Sequence, residues 1–179
     1  MRMRFLPLLL IAATPAVACP PLPEISIEQR ELMRQVREAP DPETGRFLSS
    51  KVWEYWATAP DAYAQELLNT GLERRGTYDL DGAHSAFEAL VEYCPHYAEG
   101  YNQRAFVNFM RGEFASALID IDRVLEMRPD HFGALAGRAL TLMSMGDVEA
   151  GQEALKEALA VNPWLPERRM LIPEPGTEL

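Results

Sequence analysis

Three prolines constrain this chain more than any other feature. Pro95, Pro129 and Pro163 stand 34 residues apart, twice over. Shifting the chain on itself by that step lays small residues on small ones and large apolar residues on large apolar ones. In the frames 64–97, 98–131 and 132–165, the eighth position holds Gly71, Ala105 and Ala139, and the twentieth holds Ala83, Ala117 and Gly151. The twenty-fourth holds Phe87, Ile121 and Leu155. A fixed period of this length marks an array of stacked supersecondary units. Small residues at two of these positions let antiparallel helices approach closely, and the large one fills the gap to the next unit.

The second half of the middle unit shows the local structure best. Phe114, Ala117, Leu118, Ile121, Val124 and Leu125 recur at i, i+3, i+4, i+7, i+10 and i+11, which is one face of a helix. Arg111-Gly112-Glu113 and Met145-Gly146-Asp147 supply the turns between helices, and the first unit has Tyr78 where these have glycine. No window keeps strand alternation for long, so the chain is expected to be all-α. Upstream, Pro20, Pro21 and Pro23 make a stiff lead-in. Residues 24–39 read as a helix with Ile25, Leu32 and Val36 on one stripe. Asp41-Pro42 opens a second, with Leu48, Val52, Tyr55 and Trp56 on its stripe and Trp53 to one side. The expected organisation is a leader over 1–18, a lead-in and N-terminal helical hairpin over 19–60, the array over 61–165, and a lid and tail over 166–179. In that lid Trp164, Leu165, Met170 and Leu171 fold back on the last unit, because a terminal repeat must cover its open edge.

Composition bounds the function classes. With 47% hydrophobic and 25% charged residues the chain is ordinary globular material, and its net charge is −10. Loss of Arg2 and Arg4 with the leader makes that about −12. Such a chain is repelled by phosphate backbones and anionic lipid and has no basic patch, so nucleic acid is not an expected partner. Two arginines, a short apolar run from Phe5 to Ala13, and Ala16 and Ala18 before Cys19 form a secretory signal, which points to export from a bacterial cytoplasm into the periplasm. The run is too short to span a bilayer, where about 20 residues are needed.

Cleavage after Ala18 leaves Cys19 first and opens two exclusive readings. Cys19 is lipidated and anchors the protein to a membrane, or it pairs with Cys94 in an oxidising compartment. Ala16 stands where the bacterial lipoprotein signal usually has leucine, which favours the soluble, disulfide-bonded form.

Across residues 64–165 the pattern resembles the tetratricopeptide repeat family, whose 34-residue helix–turn–helix units stack into a right-handed superhelix. Tyr101 stands in its position-four aromatic slot, with Leu67 and Leu135 there in the other units. The resemblance implies a protein- or peptide-binding scaffold and not an enzyme, with a concave groove lined by the first helices. On that frame the groove residues are Gln65, Leu68, Leu72 and Arg75, then Glu99, Asn102, Phe106, Phe109 and Met110, then Ala136, Leu140 and Met143. The family's clamp for chaperone carboxylates wants Lys and Asn on one helix and Lys and Arg on another; Leu68, Leu72, Gly133 and Gly137 stand there instead. An apolar, Phe- and Met-rich groove suits an amphipathic helix or an extended apolar segment. The alternative is that Phe106, Phe109, Leu140 and Met143 are core against the N-terminal hairpin.

Chemistry is thin elsewhere. His84, His96 and His131 do not cluster with Cys94 in any metal-ligand spacing, and no cofactor is expected. Thr77, Asp79, Asp81, Gly82 and Glu88 approximate a calcium loop, but Ala83 and Phe87 must be helical for the repeat, so a helix is expected there. The functional expectation is a non-catalytic envelope scaffold or assembly factor, with a Cys19-anchored structural lipoprotein subunit as the alternative.

Overall fold

In the computed structural model residues 18–22 and 25–173 are described; the expected leader up to residue 17 and the end of the tail, 174–179, lie outside them. The described residues form eight α-helices: α1 Ile27–Glu38, α2 Pro42–Trp56, α3 Ala62–Gly76, α4 Leu80–Tyr93, α5 Ala98–Met110, α6 Phe114–Met127, α7 Phe132–Ser144 and α8 Val148–Val161. A short 3-10 helix, Pro166–Met170, follows. Side chains start most of them. Ser26 and Gln29 form a reciprocal capping box on α1, which therefore begins at Ile27 and leaves Ile25 exposed outside it. Asp41, Asp61, Asp79 and Asp147 cap α2, α3, α4 and α8. Bonds from the backbone N–H groups of Thr44, Ala64 and Gly82 hold the carboxyls of Asp41, Asp61 and Asp79 below the usual aspartate value.

The helices from α3 onward stack as antiparallel pairs, α3 on α4, α5 on α6 and α7 on α8, with α4 against α5 and α6 against α7. Each pair has its own core. Ala64, Leu68, Ala83, Phe87 and Leu90 fill the first, Ala105, Ile121 and Val124 the second, and Ala139, Ala154 and Leu155 the third. Gly71 is required where it is, because a Cβ there would collide with the Phe87 ring. In the second pair Arg104 forks onto buried Asp120 (Nη2–Oδ1 2.7 Å, Nε–Oδ2 2.9 Å), and that hydrogen-bonded carboxylate holds the guanidinium above its usual value.

The α1–α2 hairpin turns its apolar face to the third pair. Met33, Val36, Val52 and Trp56 form one cluster with Phe132, Leu135, Ala136, Ala158 and Leu165. Trp53 flanks this cluster, edge-on to Trp56 and Phe132, whereas Tyr55 is exposed. Long-range bonds fix the placement. Trp164 Nε1 donates to the Val36 carbonyl (2.8 Å), Asn162 Nδ2 to Ser49 Oγ (2.9 Å), and Tyr97 Oη to the Trp56 carbonyl (2.6 Å). The lead-in is fastened by a disulfide between Cys19 and Cys94, 75 residues apart. Loop closure of that length contributes about 4 kcal/mol in the chain-entropy account. The lid is partial: Leu165 is buried and Leu171 packs on the third core, but Met170 is exposed and only its carbonyl is held, by Gln152 Nε2 (3.0 Å).

The turn at Tyr78 follows the geometry of the others. Its φ is 64°, in the left-handed region that Gly112 (77°) and Gly146 (90°) also occupy. The bend is thus kept in all three units, and in the first an exposed tyrosine carries the steric cost of about 1–2 kcal/mol. Replacing Tyr78 by glycine is expected to raise the melting temperature by about 2–4 °C, the shift that roughly 1 kcal/mol produces at this size. An unchanged or lowered midpoint in thermal circular dichroism contradicts the strain.

Candidate functional site

Helices α3, α5 and α7 line the concave side. The hairpin and the segment after α8 occupy part of it, and a hollow of about 430 Å³ remains. Phe106, Phe109 and Leu140 form apolar wall, with Ile121 behind and Trp53, Leu165 and Pro166 closing it off. Arg75, Asn102, Gln103, Thr141 and Glu167 supply the polar atoms. Phe106 is 46% exposed and borders the hollow. Two glycines of α7 shape the space. A Cβ at Gly133 would strike the Trp53 ring, so this position seats the hairpin; a Cβ at Gly137 would meet only Ile121, at 3.6 Å.

A polar chain runs from this hollow into the core. The Arg75 guanidinium lies over the Phe106 ring, 5.0 Å from its centroid, and donates to Gln103 Oε1. Burial pushes its pKa down, and Glu99 opposes that shift. Gln103 donates in turn to Glu99, which is 2% exposed. Glu99 also accepts from Asn102 (3.2 Å), and its Oε2 lies 3.1 Å from Nε2 of His131, itself 1% exposed. His131 Nδ1 accepts from the backbone N–H of Ala134, capping α7 (3.1 Å), so the ring proton sits on Nε2 and is given to Glu99. The imidazole stacks on Trp56 at 3.8 Å. Both ring nitrogens are therefore committed, and the pair organises the fold without a free base for proton transfer.

The structure gathers only part of the expected groove. Arg75, Asn102, Phe106, Phe109 and Leu140 border the hollow, together with Ala136. Leu68 is fully buried in the first core, and Leu72 packs on the same cluster. Met143 lies against α8, where Gly151 makes room for it. Gln65 bonds back to the Ala57 carbonyl and the Ala59 N–H, joining α3 to the end of α2, and Met110 is not on the hollow's wall. Glu99 faces the other side, toward a second hollow of about 400 Å³ bordered by Tyr55, Trp56, Tyr97 and Arg128. The view that Phe106, Phe109, Leu140 and Met143 are core against the hairpin is not what the packing shows. The hairpin meets Phe132, Leu135 and Ala136 at the other end of α7. Trp53, Gln103 and Glu167 were missed; Gly133 opposite a spare tryptophan was the one sequence signal for Trp53. The acidic turn resembling a calcium loop is used by the helix, since Asp79 caps α4 and pairs with Arg74 (2.8 Å).

No family model matches the chain. A TPR repeat-containing protein of Rhizobium etli is 28% identical over 137 residues, covering 74% of this chain and 65% of that protein, so the chain spans somewhat under two thirds of this relative's length. Among solved structures, the first TPR of Spaghetti (RPAP3) bound to the HSP90 peptide SRMEEVD superposes with a TM-score of 0.58 at 18% identity, over 60% of this chain and 85% of that one. The TPR2B domain of yeast Sti1 in its pHsp70 complex gives 0.56 at 22%, over 60% and 89%. With the 34-residue period, these matches show the fold of a tetratricopeptide-repeat solenoid, with α3–α4, α5–α6 and α7–α8 as three stacked helix pairs like those of TPR proteins.

Replacing His131 by leucine would leave Glu99 buried with one donor fewer and α7 without its cap. A loss of about 3 kcal/mol is expected in urea unfolding, with part of it recovered when Glu99 is also made leucine. A single variant within 1 kcal/mol of the parent would remove the pair from the list of stabilising contacts.

Proposed function

We propose that this protein is a non-catalytic scaffold of a bacterial cell envelope that holds an extended apolar segment of another protein in the hollow between α5 and α7. The observation that carries this reading is the exposed Phe106 with Phe109 and Leu140 around an otherwise unfilled concave space. Two of the structural neighbours are complexes with Hsp90 or Hsp70 material, which supports a peptide or protein as the class of ligand. An extended strand of a few residues fits the hollow. Export is supported by the leader pattern at the N-terminus and by a disulfide, a bond that persists in oxidising compartments. The same bond weighs against the lipoprotein alternative, because a thioether at Cys19 would leave Cys94 free.

The test is crosslinking in intact cells with Phe106→Ser combined with Leu140→Ser, both at side chains that reach solvent. The variant should melt within a few degrees of the parent and lose the crosslinked partner by tenfold or more. A folded variant that crosslinks undiminished would sink the groove reading. Intact mass bears on export: a chain beginning at Cys19, unacylated and lighter than its dithiol by two hydrogens, is expected, and a diacylated N-terminus would replace it with the anchored form.

A further inference from the structure

The polar atoms of the hollow specify its occupant further than the apolar walls do. Arg75 is half-buried, and among the described residues it has no carboxylate within ion-pair distance. Of its five N–H donors, the bond that holds it goes to a neutral amide, Gln103 Oε1. The nearest acid, Glu99, lies beyond that amide and already accepts from Asn102, Gln103 and His131. Buried charges are as a rule paired, and the planar guanidinium over the Phe106 ring keeps donors to spare beyond its bond to Gln103. The same hollow is bordered by Glu167, whose Oε2 is buried and lacks a hydrogen-bond partner. Arg75 comes from the first repeat and Glu167 follows the third, so the space between them has a positive and a negative limit.

Building on the scaffold reading, we infer that the hollow selects an extended peptide in which an acidic residue adjoins an apolar one. The carboxylate pairs with Arg75, the apolar side chain rests among Phe106, Phe109 and Leu140, and a following backbone N–H or basic side chain reaches Glu167. A fatty acid offers the anion and the apolar body but no donor for Glu167, so the observations favour a peptide.

The experiment is selection of a phage-displayed random heptapeptide library on the full-length oxidised protein and on its Arg75→Gln variant, each first shown to be folded by thermal melting. The parent should enrich peptides with Asp or Glu beside Leu, Ile, Phe or Met. The leading peptide, made synthetically, should bind about tenfold more tightly to the parent than to Arg75→Gln, as befits one charge-assisted bond. Changing its acid to the amide should cost the same on the parent and nothing further on the variant, which is the signature of direct contact. That comparison on the parent alone decides the matter if Arg75→Gln does not fold. Apolar peptides without an acid, enriched equally by both proteins, would overturn the inference and leave the groove reading standing. No enrichment on the folded parent would overturn both, and dodecanoate binding in place of any peptide would assign the hollow to a lipid instead.

Discussion

The stack of Trp56 on His131 is the contact on which the remainder of the molecule depends. The tryptophan comes from the N-terminal hairpin, and the histidine begins the first helix of the third repeat. In an open array each repeat touches only its neighbours, and the last one needs a cover. Here no long helix follows α8 to provide it among the described residues. The hairpin does so from the other end of the sequence, laying Met33, Val36 and Val52 against Phe132, Leu135 and Ala158. Without that cover the apolar face of the third repeat would stand in water, at roughly 1.5–3 kcal/mol for each large side chain exposed.

Burying Glu99 beside this stack is costly unless its oxygens are satisfied, and the surrounding residues are arranged to satisfy them. Asn102 and Gln103 come from its own helix and His131 from the next repeat, so one carboxylate joins α5 to α7 where helix pairing alone would not. Gln103 then passes the network on to Arg75 on α3. The three helices that line the concave side are therefore cross-linked by polar contacts at one level, while their apolar cores lie between the paired helices behind. This division leaves the concave surface free to be shaped by Phe106, Phe109 and Leu140, whose exposure the core does not require.

The repeats could be read directly because their determinants are local and recur. Phe87, Ile121 and Leu155 are each fixed by neighbours close in sequence, in their own unit or the adjoining one, and a period of 34 repeats that information three times. Tyr78 was legible as an oddity, although not as a residue forced into the conformation of glycine. The hairpin itself was legible from its stripes, but its destination was not. Its deciding contacts, Ser49 with Asn162 and Val36 with Trp164, join residues 113 and 128 apart and follow no period. The groove list erred for a related reason. A family frame assigns positions on an average first helix, whereas the space here depends on what the hairpin fills, so Leu68 and Met143 went to cores and Trp53 and Glu167 became walls.

That end-to-end docking gives the molecule a fixed count. Open solenoids lengthen by inserting units, since each new repeat finds the same surface on either side. Here an added helix pair between α4 and α7 would carry the hairpin's landing face away by about 10 Å, the spacing of packed helices, while the lead-in stays fastened at Cys94. Residues 57–61 join α2 to α3, so α2 would have to stretch that link or leave its seat on α7. Growth by duplication, the usual route by which such arrays lengthen, therefore works against the hairpin's docking in this architecture.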